Sequence, residues 1–206
     1  MTKIITIIAL FVASLVSAQG QFEQGMGKAL QTWNQGKPAD AVAQLERIAS
    51  VEKTNWLPNY YIALINTTQA FGEKDKTKML SLIEAAQKAQ DVCNSLAQEH
   101  PEVLVMQAMI HTANIVYDPM TNGQKLSGDV LYILNKAYKI APENPRVVFQ
   151  KISFEIGMAQ YFGQDTKPMC AQIEKAIELF ATFKPETALH PSWGLDRAQA
   201  ELKNCK

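Results

Sequence analysis

Four prolines recur along the chain at nearly even intervals. Pro58, Pro101, Pro145 and Pro191 are separated by 43, 44 and 46 residues, and each precedes a run with helical periodicity. Proline is favoured in the first turn of a helix, because its missing N–H would have had no partner there. A repeat of this length is typical of stacked helix pairs. The spacing therefore predicts an all-α array of helical repeats, and it indicates no particular function.

The first residues have the pattern of a targeting segment. Lys3 is followed by an apolar stretch over residues 4–16, and Val16-Ser17-Ala18 has the small residues of a signal-peptide cleavage site. The stretch is too short for a stable membrane span. We therefore expect residues 1–18 to be removed and residues 19–206 to form a single domain. The protein should be exported, either periplasmic or secreted, with no membrane span after removal of the signal.

The charge balance and the absence of enzyme motifs restrict the class of function. The chain has 20 basic and 20 acidic residues, and loss of Lys3 leaves a net charge of −1. Proteins that bind phosphate backbones carry a basic surface, so nucleic acid is not an expected partner. The motifs G-x-S-x-G, H-E-x-x-H and C-x-x-C do not occur. We expect no catalysis and no cofactor.

Turn signals divide the repeats into helix pairs, with about nine helices in all. Residues 34–38 and 72–75 are short turns, whereas residues 118–123, Asp-Pro-Met-Thr-Asn-Gly, collect strong turn formers. This cluster predicts a long connection from Tyr117 to Gly128 within the third pair. A last helix over residues 191–205 is predicted to cap the array, because terminal units need a more polar outer face.

Two segments resemble the tetratricopeptide repeat (TPR) family. They are Gly36-Lys37-Pro38-Ala39-Asp40-Ala41 with Leu45 and Ile48, and Leu134-Asn135-Lys136-Ala137-Tyr138-Lys139-Ile140-Ala141-Pro142. The family places a small residue and then a large one on the second helix of each pair, and ends that helix at a proline. The spacing near 44 residues exceeds the family repeat of about 34, so the repeats are divergent or carry insertions. The resemblance implies antiparallel helix pairs stacked as a right-handed α-solenoid.

The cysteines fall on apolar helical stripes. Cys170 begins a stripe with Ile173, Ile177 and Phe180, and Cys205 ends one with Leu195, Ala198 and Leu202 at the same steps. In an antiparallel hairpin of these helices the two cysteines would be nearly level. This register predicts a disulfide between them, with two reduced, half-buried thiols as the alternative. Cys93 is expected to fill a small core position.

Two first helices contain no charged residue, over residues 55–72 and 103–117. Such helices are usually buried from several sides. Their polar side chains nonetheless align, at the positions Asn59, Asn66, Gln107, His111 and Asn114. The TPR resemblance implies that first helices line a concave groove, where these residues would bind the backbone of a partner. A polar network inside the stack is equally compatible with the pattern, and the sequence leaves the choice open.

The predicted connection from Tyr117 to Gly128 is a further candidate binding element. Tyr117, Asp118 and Asn122 lie in it, and long loops often carry binding residues. It should share one edge of the array with residues 161–167, because both segments join a first helix to a second. An insertion with ordinary turn chemistry is the alternative. His111 has no second ligand three or four residues away, so no metal site is expected.

These expectations lead to one leading hypothesis of function and two alternatives. The first is an exported TPR-like adaptor that binds a protein or peptide partner without catalysis. The second is a small-ligand carrier or an enzyme, with a pocket between the uncharged helices at residues 58–72 and 103–117. The third is a structural part of a larger envelope assembly. The identity of a partner and the oligomeric state do not follow from the sequence.

Overall fold

Nine α-helices and no strands make up residues 19–205, the part of the chain that the computed structural model describes. The all-α prediction is confirmed, and the predicted signal peptide, residues 1–18, lies outside the described residues. The helices are α1 (residues 19–34), α2 (Pro38–Val51), α3 (Leu57–Gly72), α4 (Lys76–Ala97), α5 (Pro101–Tyr117), α6 (Pro119–Ile140), α7 (Pro145–Tyr161), α8 (Cys170–Thr182) and α9 (Leu195–Cys205). A short 3-10 helix, Lys167–Met169, leads into α8.

The helices form two layers. The first helices α3, α5 and α7 lie side by side, and the second helices α2, α4 and α6 each pack against the first helix of the next pair. The starts of the first helices therefore share one edge of the array, which we call the start edge. Their ends meet the second helices at the opposite edge, which we call the corner edge. Each pair buries the apolar face of its neighbour, as in other helical solenoids.

The prolines act as predicted at three of the four positions. Pro101 and Pro145 are the first residues of α5 and α7, and Pro58 is the second residue of α3. Pro191 is different, because α9 begins only at Leu195. The prediction of a helix over residues 191–205 is therefore corrected at its start.

An extended linker, residues 183–194, joins α8 to α9 instead. Gly194 ends it with a φ of +112°, a conformation that glycine adopts without strain. A Cβ at this position would also lie 2.9 Å from Cζ of Phe180. Position 194 therefore favours glycine, and its positive φ places the residue outside the helix that begins at Leu195. His190 lies in this linker.

The predicted long connection from Tyr117 to Gly128 is wrong. Asp118 alone separates α5 from α6, and Pro119 is the first residue of the new helix. The Asp118 side chain caps α6 by accepting the Thr121 N–H at 3.2 Å. Aspartate and proline are as favourable at the start of a helix as in a turn, so the same residues support both readings.

A buried ion pair joins three helix pairs at the start edge. Arg146 at the start of α7 donates from Nε to both oxygens of Glu102 in α5, at 2.8 and 2.9 Å, and its Nη2 lies 2.7 Å from Oε1. Asn144 donates to the same carboxylate at 2.6 Å, and the Tyr60 hydroxyl of α3 donates to this carboxylate at 3.4 Å. Burial, followed by the nearby Glu102 charge, raises the pKa of Tyr60 well above its usual value.

The predicted disulfide is present between Cys170 and Cys205. Their Cα atoms are 5.8 Å apart, which fits the antiparallel hairpin of α8 and α9. Cys93 is fully buried, as predicted, and burial raises the pKa of its thiol to about 12. A thiol with so high a pKa is almost fully protonated at neutral pH, and it is therefore unreactive as a nucleophile.

Within the described residues no helix is both long enough and apolar enough to span a bilayer. Helix α3 contains no charged residue and α5 contains only Glu102. These two helices are instead the most buried elements of the array, with eleven and nine buried residues. Their apolar composition is therefore explained by neighbours on several sides. The core also includes a smaller C-terminal cluster, in which Phe149, Ile173 and Ala198 join α7, α8 and α9.

Candidate functional site

The amides predicted to line a groove make contacts within the chain. Asn59 is partly buried near the start of α3. Asn66 is buried, and its Nδ2 donates to the carbonyl of Ile62 in its own helix at 2.8 Å. Asn114 donates in the same way to Ile110 at 3.1 Å. A partner that used Asn66 or Asn114 would have to compete with these hydrogen bonds.

Gln107 and His111 belong to a polar network between α4 and α5. Gln107 exchanges two hydrogen bonds with Gln87, at 2.9 and 3.2 Å, and accepts a third from Asn94 at 3.3 Å. Its Nε2 also lies 3.3 Å from Nε2 of His111. Burial lowers the pKa of His111, against an opposing effect of Asp129. The imidazole is therefore neutral at physiological pH.

The remaining predicted residues lie at the corner between α5 and α6. Asn122 donates to the carbonyl of Asn114 at 2.8 Å, and the ammonium of Lys76 lies 5.5 Å from the centre of the Tyr117 ring. Hydrogen bonds from the side chain and backbone of Thr121 lower the pKa of Asp118. Each of these three residues therefore supports the corner through a local contact.

Three large apolar side chains are exposed together at the corner edge. Met120, Tyr161 and Phe162 are 72%, 65% and 65% exposed. The Tyr161 hydroxyl lies 3.9 Å from the Met120 sulfur, and the Tyr161 and Phe162 rings contact edge to face with centres 5.3 Å apart. We call these three residues the aromatic edge. The contact confirms that the corners after α5 and α7 share one edge of the array.

The sequence alone does not indicate the aromatic edge. Met120 falls in the segment interpreted as a loop, and Tyr161-Phe162 at the end of a helical pattern is equally typical of a buried helix end. The sequence feature that could have indicated this surface is the two consecutive aromatic residues, Tyr161 and Phe162, at the end of a helix. Side chains there lie beyond the contact between the two packed helices. Exposed apolar groups that adjoin one another mark binding surfaces more often than scattered ones do.

A second group of side chains lies at the start edge. His100 caps α5 by accepting the Glu102 N–H on Nδ1 at 3.2 Å, while Glu186 and His190 come from the linker. The nitrogen and oxygen donor atoms of these three residues all lie within 4.8 Å of one another. The ring of Trp56 packs against both imidazoles, with centres 4.6 and 5.7 Å away. Burial lowers the pKa of His100, although the nearby glutamates oppose it.

Two open cavities lie on either side of this group. One, of about 650 Å³, lies between the starts of α1 and α3 and the linker, and the other, of about 590 Å³, lies between the starts of α5 and α7 and the linker. His190 lines both cavities. The linker is held over the first helices by two further bonds, from the Tyr61 hydroxyl to the Leu189 carbonyl and from Trp193 Nε1 to the Tyr60 hydroxyl, both 2.9 Å.

Comparison with solved structures places this arrangement among TPR-like folds. The haemophore HusA of Porphyromonas gingivalis superposes with a TM-score of 0.77 at 24% identity, over 90% of this chain and 92% of HusA. A TPR protein of Thermus thermophilus superposes with a TM-score of 0.58 at 11% identity, over 89% of this chain and 98% of that protein. No family model matches the chain, and no curated protein matches it in sequence.

The two similar structures establish a divergent TPR-like helical fold for this chain, as the sequence resemblance predicted. At these identities the likeness concerns the fold, and function does not follow from fold alone. The class that the comparisons define is therefore a fold class, a divergent TPR-like helical array.

Proposed function

We propose that this protein is an exported carrier that binds a planar, largely apolar ligand of the porphyrin class at its aromatic edge. The observation that carries the proposal is the adjacent exposure of Met120, Tyr161 and Phe162. The haemophore that shares the fold over nine tenths of both chains supports the choice of ligand. The corners of two adjacent helix pairs build this surface, so the folded array presents it without rearrangement.

The chemistry of the aromatic edge suits a flat conjugated ring. Aromatic side chains gain about 0.5 to 1.5 kcal/mol from a well-placed ring contact beyond the burial of area, and a thioether packs favourably against ring edges. Tyrosine and methionine are also side chains that ligate haem iron in other proteins. Stacking would act on any porphyrin, whereas ligation would add affinity only for the iron-containing one.

The test is a titration of the purified protein with haem and with metal-free protoporphyrin, followed by absorbance and by quenching of tryptophan fluorescence. We expect saturable binding of both ligands, weakened at least about tenfold by Phe162→Ser and by Tyr161→Ser, because each removes a stacking surface. Met120→Ser should affect haem more than the metal-free ring if sulfur ligates the iron.

Tyr132→Ser is the matched control for this titration. Tyr132 is a tyrosine in α6 with 69% exposure, twelve residues and about 18 Å along the helix from Met120. It should bind both porphyrins as the unaltered protein does. Absence of saturable binding, or equal losses in Tyr132→Ser and Phe162→Ser, would reject the aromatic edge as the ligand site.

Export is part of the proposal. The disulfide between Cys170 and Cys205 supports it, because structural disulfides persist in oxidising compartments such as the periplasm or the cell exterior. The apolar stretch over residues 4–16, followed by small residues, supports it independently. A carrier outside the cytoplasm would meet its ligand before uptake.

A second candidate is an adaptor that binds an extended peptide on the first helices, and the likeness to a TPR protein favours it. Asn59, Asn66, Gln107, His111 and Asn114 would supply the hydrogen bonds, aided by Tyr117, Asp118 and Asn122. A partner that co-purifies with the protein and is lost on Asn66→Ala or Asn114→Ala would support this function. A partner retained by both variants would contradict the groove assignment.

A further inference from the structure

The start edge carries a group of side chains that the proposed carrier function does not use. We propose that His100, Glu186 and His190 form a binding site for a divalent transition-metal ion of the zinc type, which fastens the linker to the start of α5. Two imidazole nitrogens and one carboxylate oxygen are a donor set that Zn²⁺ uses in proteins, with water in the fourth position.

The distances between the donor atoms are close to those a metal requires. Glu186 Oε2 lies 3.3 Å from His190 Nε2, and Glu186 Oε1 lies 3.8 Å from His100 Nε2. Ligands about 2.0 to 2.1 Å from a tetrahedral ion are roughly 3.3 Å apart. Glu186 is 73% exposed and free to turn toward either imidazole. All the donor atoms of the group lie within 4.8 Å of one another, so binding one ion needs approaches of at most about 1.5 Å.

The surroundings hold the imidazoles in place. Nδ1 of His190 lies 2.8 Å from the Thr187 hydroxyl, the outer partner that a metal-bound imidazole needs when Nε2 is the ligand. Trp56 packs against both imidazole rings and limits their rotation. The cavities beside the linker leave a path for water and ions to reach the group. The donors thus converge on a site that solvent can enter.

The cap of α5 and a bound metal would compete for the same imidazole. Nδ1 of His100 accepts the Glu102 N–H, so in the neutral ring the proton is on Nε2, which is the atom that faces Glu186. To bind a metal through Nε2, the ring must carry its proton on Nδ1 and release the Glu102 N–H. Metal binding is therefore predicted to break this one cap bond, which gives the proposal a local signature.

The sequence alone does not indicate this site, because its ligands are far apart in the chain. Glu186 and His190 are four residues apart in the linker, where neither a motif nor a helical face indicates a site, and His100 precedes them by more than 80 residues. Their meeting depends on the linker returning across the first helices. Among the described residues, 19–205, this is the group whose donor atoms converge in this way.

The site can be tested independently of porphyrin binding. Calorimetric titration of the full protein with Zn²⁺ should show one site, and Co²⁺ in its place should give the visible absorption of a tetrahedral ion. His100→Asn, Glu186→Gln and His190→Gln should each weaken Zn²⁺ binding at least about tenfold. Asparagine is a good helix cap, so His100→Asn removes the ligand and keeps α5 capped.

The controls separate this site from other metal binding and from the carrier function. Glu143→Gln alters a carboxylate in the same cavity outside the group and should leave Zn²⁺ affinity unchanged. The Glu102 amide resonance should move on Zn²⁺ addition in the unaltered protein and stay in place in His100→Asn. Porphyrin binding should persist in all four variants, because α5, 17 residues long, separates the two edges by about 25 Å.

Two results would overturn the proposal. One is the absence of Zn²⁺ binding at millimolar concentration. The other is equal affinity in the unaltered protein and in the three ligand variants, which would place the metal elsewhere on the chain. Either result leaves the porphyrin titration untouched, so failure of the metal site and failure of the carrier function are distinguishable.

Discussion

Replacing Arg146 by methionine should lower the free energy of unfolding by about 3 to 5 kcal/mol. Arg146 is 1% exposed, and its guanidinium is the cation that balances the buried Glu102 carboxylate. Methionine fills much of the same volume but leaves the carboxylate buried with only Asn144 and the Tyr60 hydroxyl as partners. A buried charge that loses its partner costs this much in other proteins. Urea unfolding followed by circular dichroism measures the change.

Two further variants test the cause of that loss. In the double variant Glu102→Gln with Arg146→Met no charge remains, so we expect it to recover part of the stability. Lys136→Met removes a lysine paired with Glu99 at 2.8 Å on the surface, and it should leave the urea midpoint unchanged. An Arg146→Met protein as stable as the unaltered one would show that the ion pair does not hold the three helix pairs together.

Removal of the disulfide should be the second large effect. The double variant Cys170→Ser with Cys205→Ser opens a loop of 35 residues, and loop-closure entropy predicts a loss of about 3 to 4 kcal/mol. The loss of stability should be greatest at the C-terminus, because Ala198 is the buried residue of α9 and the helix has little other buried contact with the array. Hydrogen exchange resolved by residue should show amides of α9 opening first.

Reduction provides the matched comparison for the disulfide. Dithiothreitol should lower the melting temperature of the unaltered protein to that of the double variant, and it should have no effect on the variant itself. Cys93 forms no disulfide and is fully buried, so dithiothreitol should act only on the bridge between Cys170 and Cys205. Unchanged exchange in α9 after removal of both cysteines would contradict the proposed role of the bridge.

The architecture was predictable because its signals are local. Pro101 and Pro145 start helices by a preference that acts within one turn, and the stripes that contain Cys170 and Cys205 fix a register between adjacent helices. The incorrect prediction of a loop at residues 118–123 also arises from local signals. Asp118 and Pro119 favour a turn or a helix start equally, and the packing of α6 against α5 decides between them.

The candidate sites were not predictable, because each is assembled from distant parts of the chain. Tyr161 meets Met120 from the next helix pair, 41 residues away. The position of His100 beside Glu186 and His190 depends on the linker folding back over the first helices. The alignment of Asn66, Gln107 and Asn114 is visible in the sequence, but only the packing reveals which neighbour each amide contacts.

Mapping the ligand by nuclear magnetic resonance would show whether a porphyrin binds at the aromatic edge. Metal-free protoporphyrin, which is diamagnetic, would be added to 15N-labelled protein and amide shifts followed by residue. We predict that the largest changes fall at residues 116–122 and 158–164, the two corners that carry Met120, Tyr161 and Phe162. Changes centred on the linker or on the first helices, without changes at these two corners, would rule out the aromatic edge as the porphyrin site.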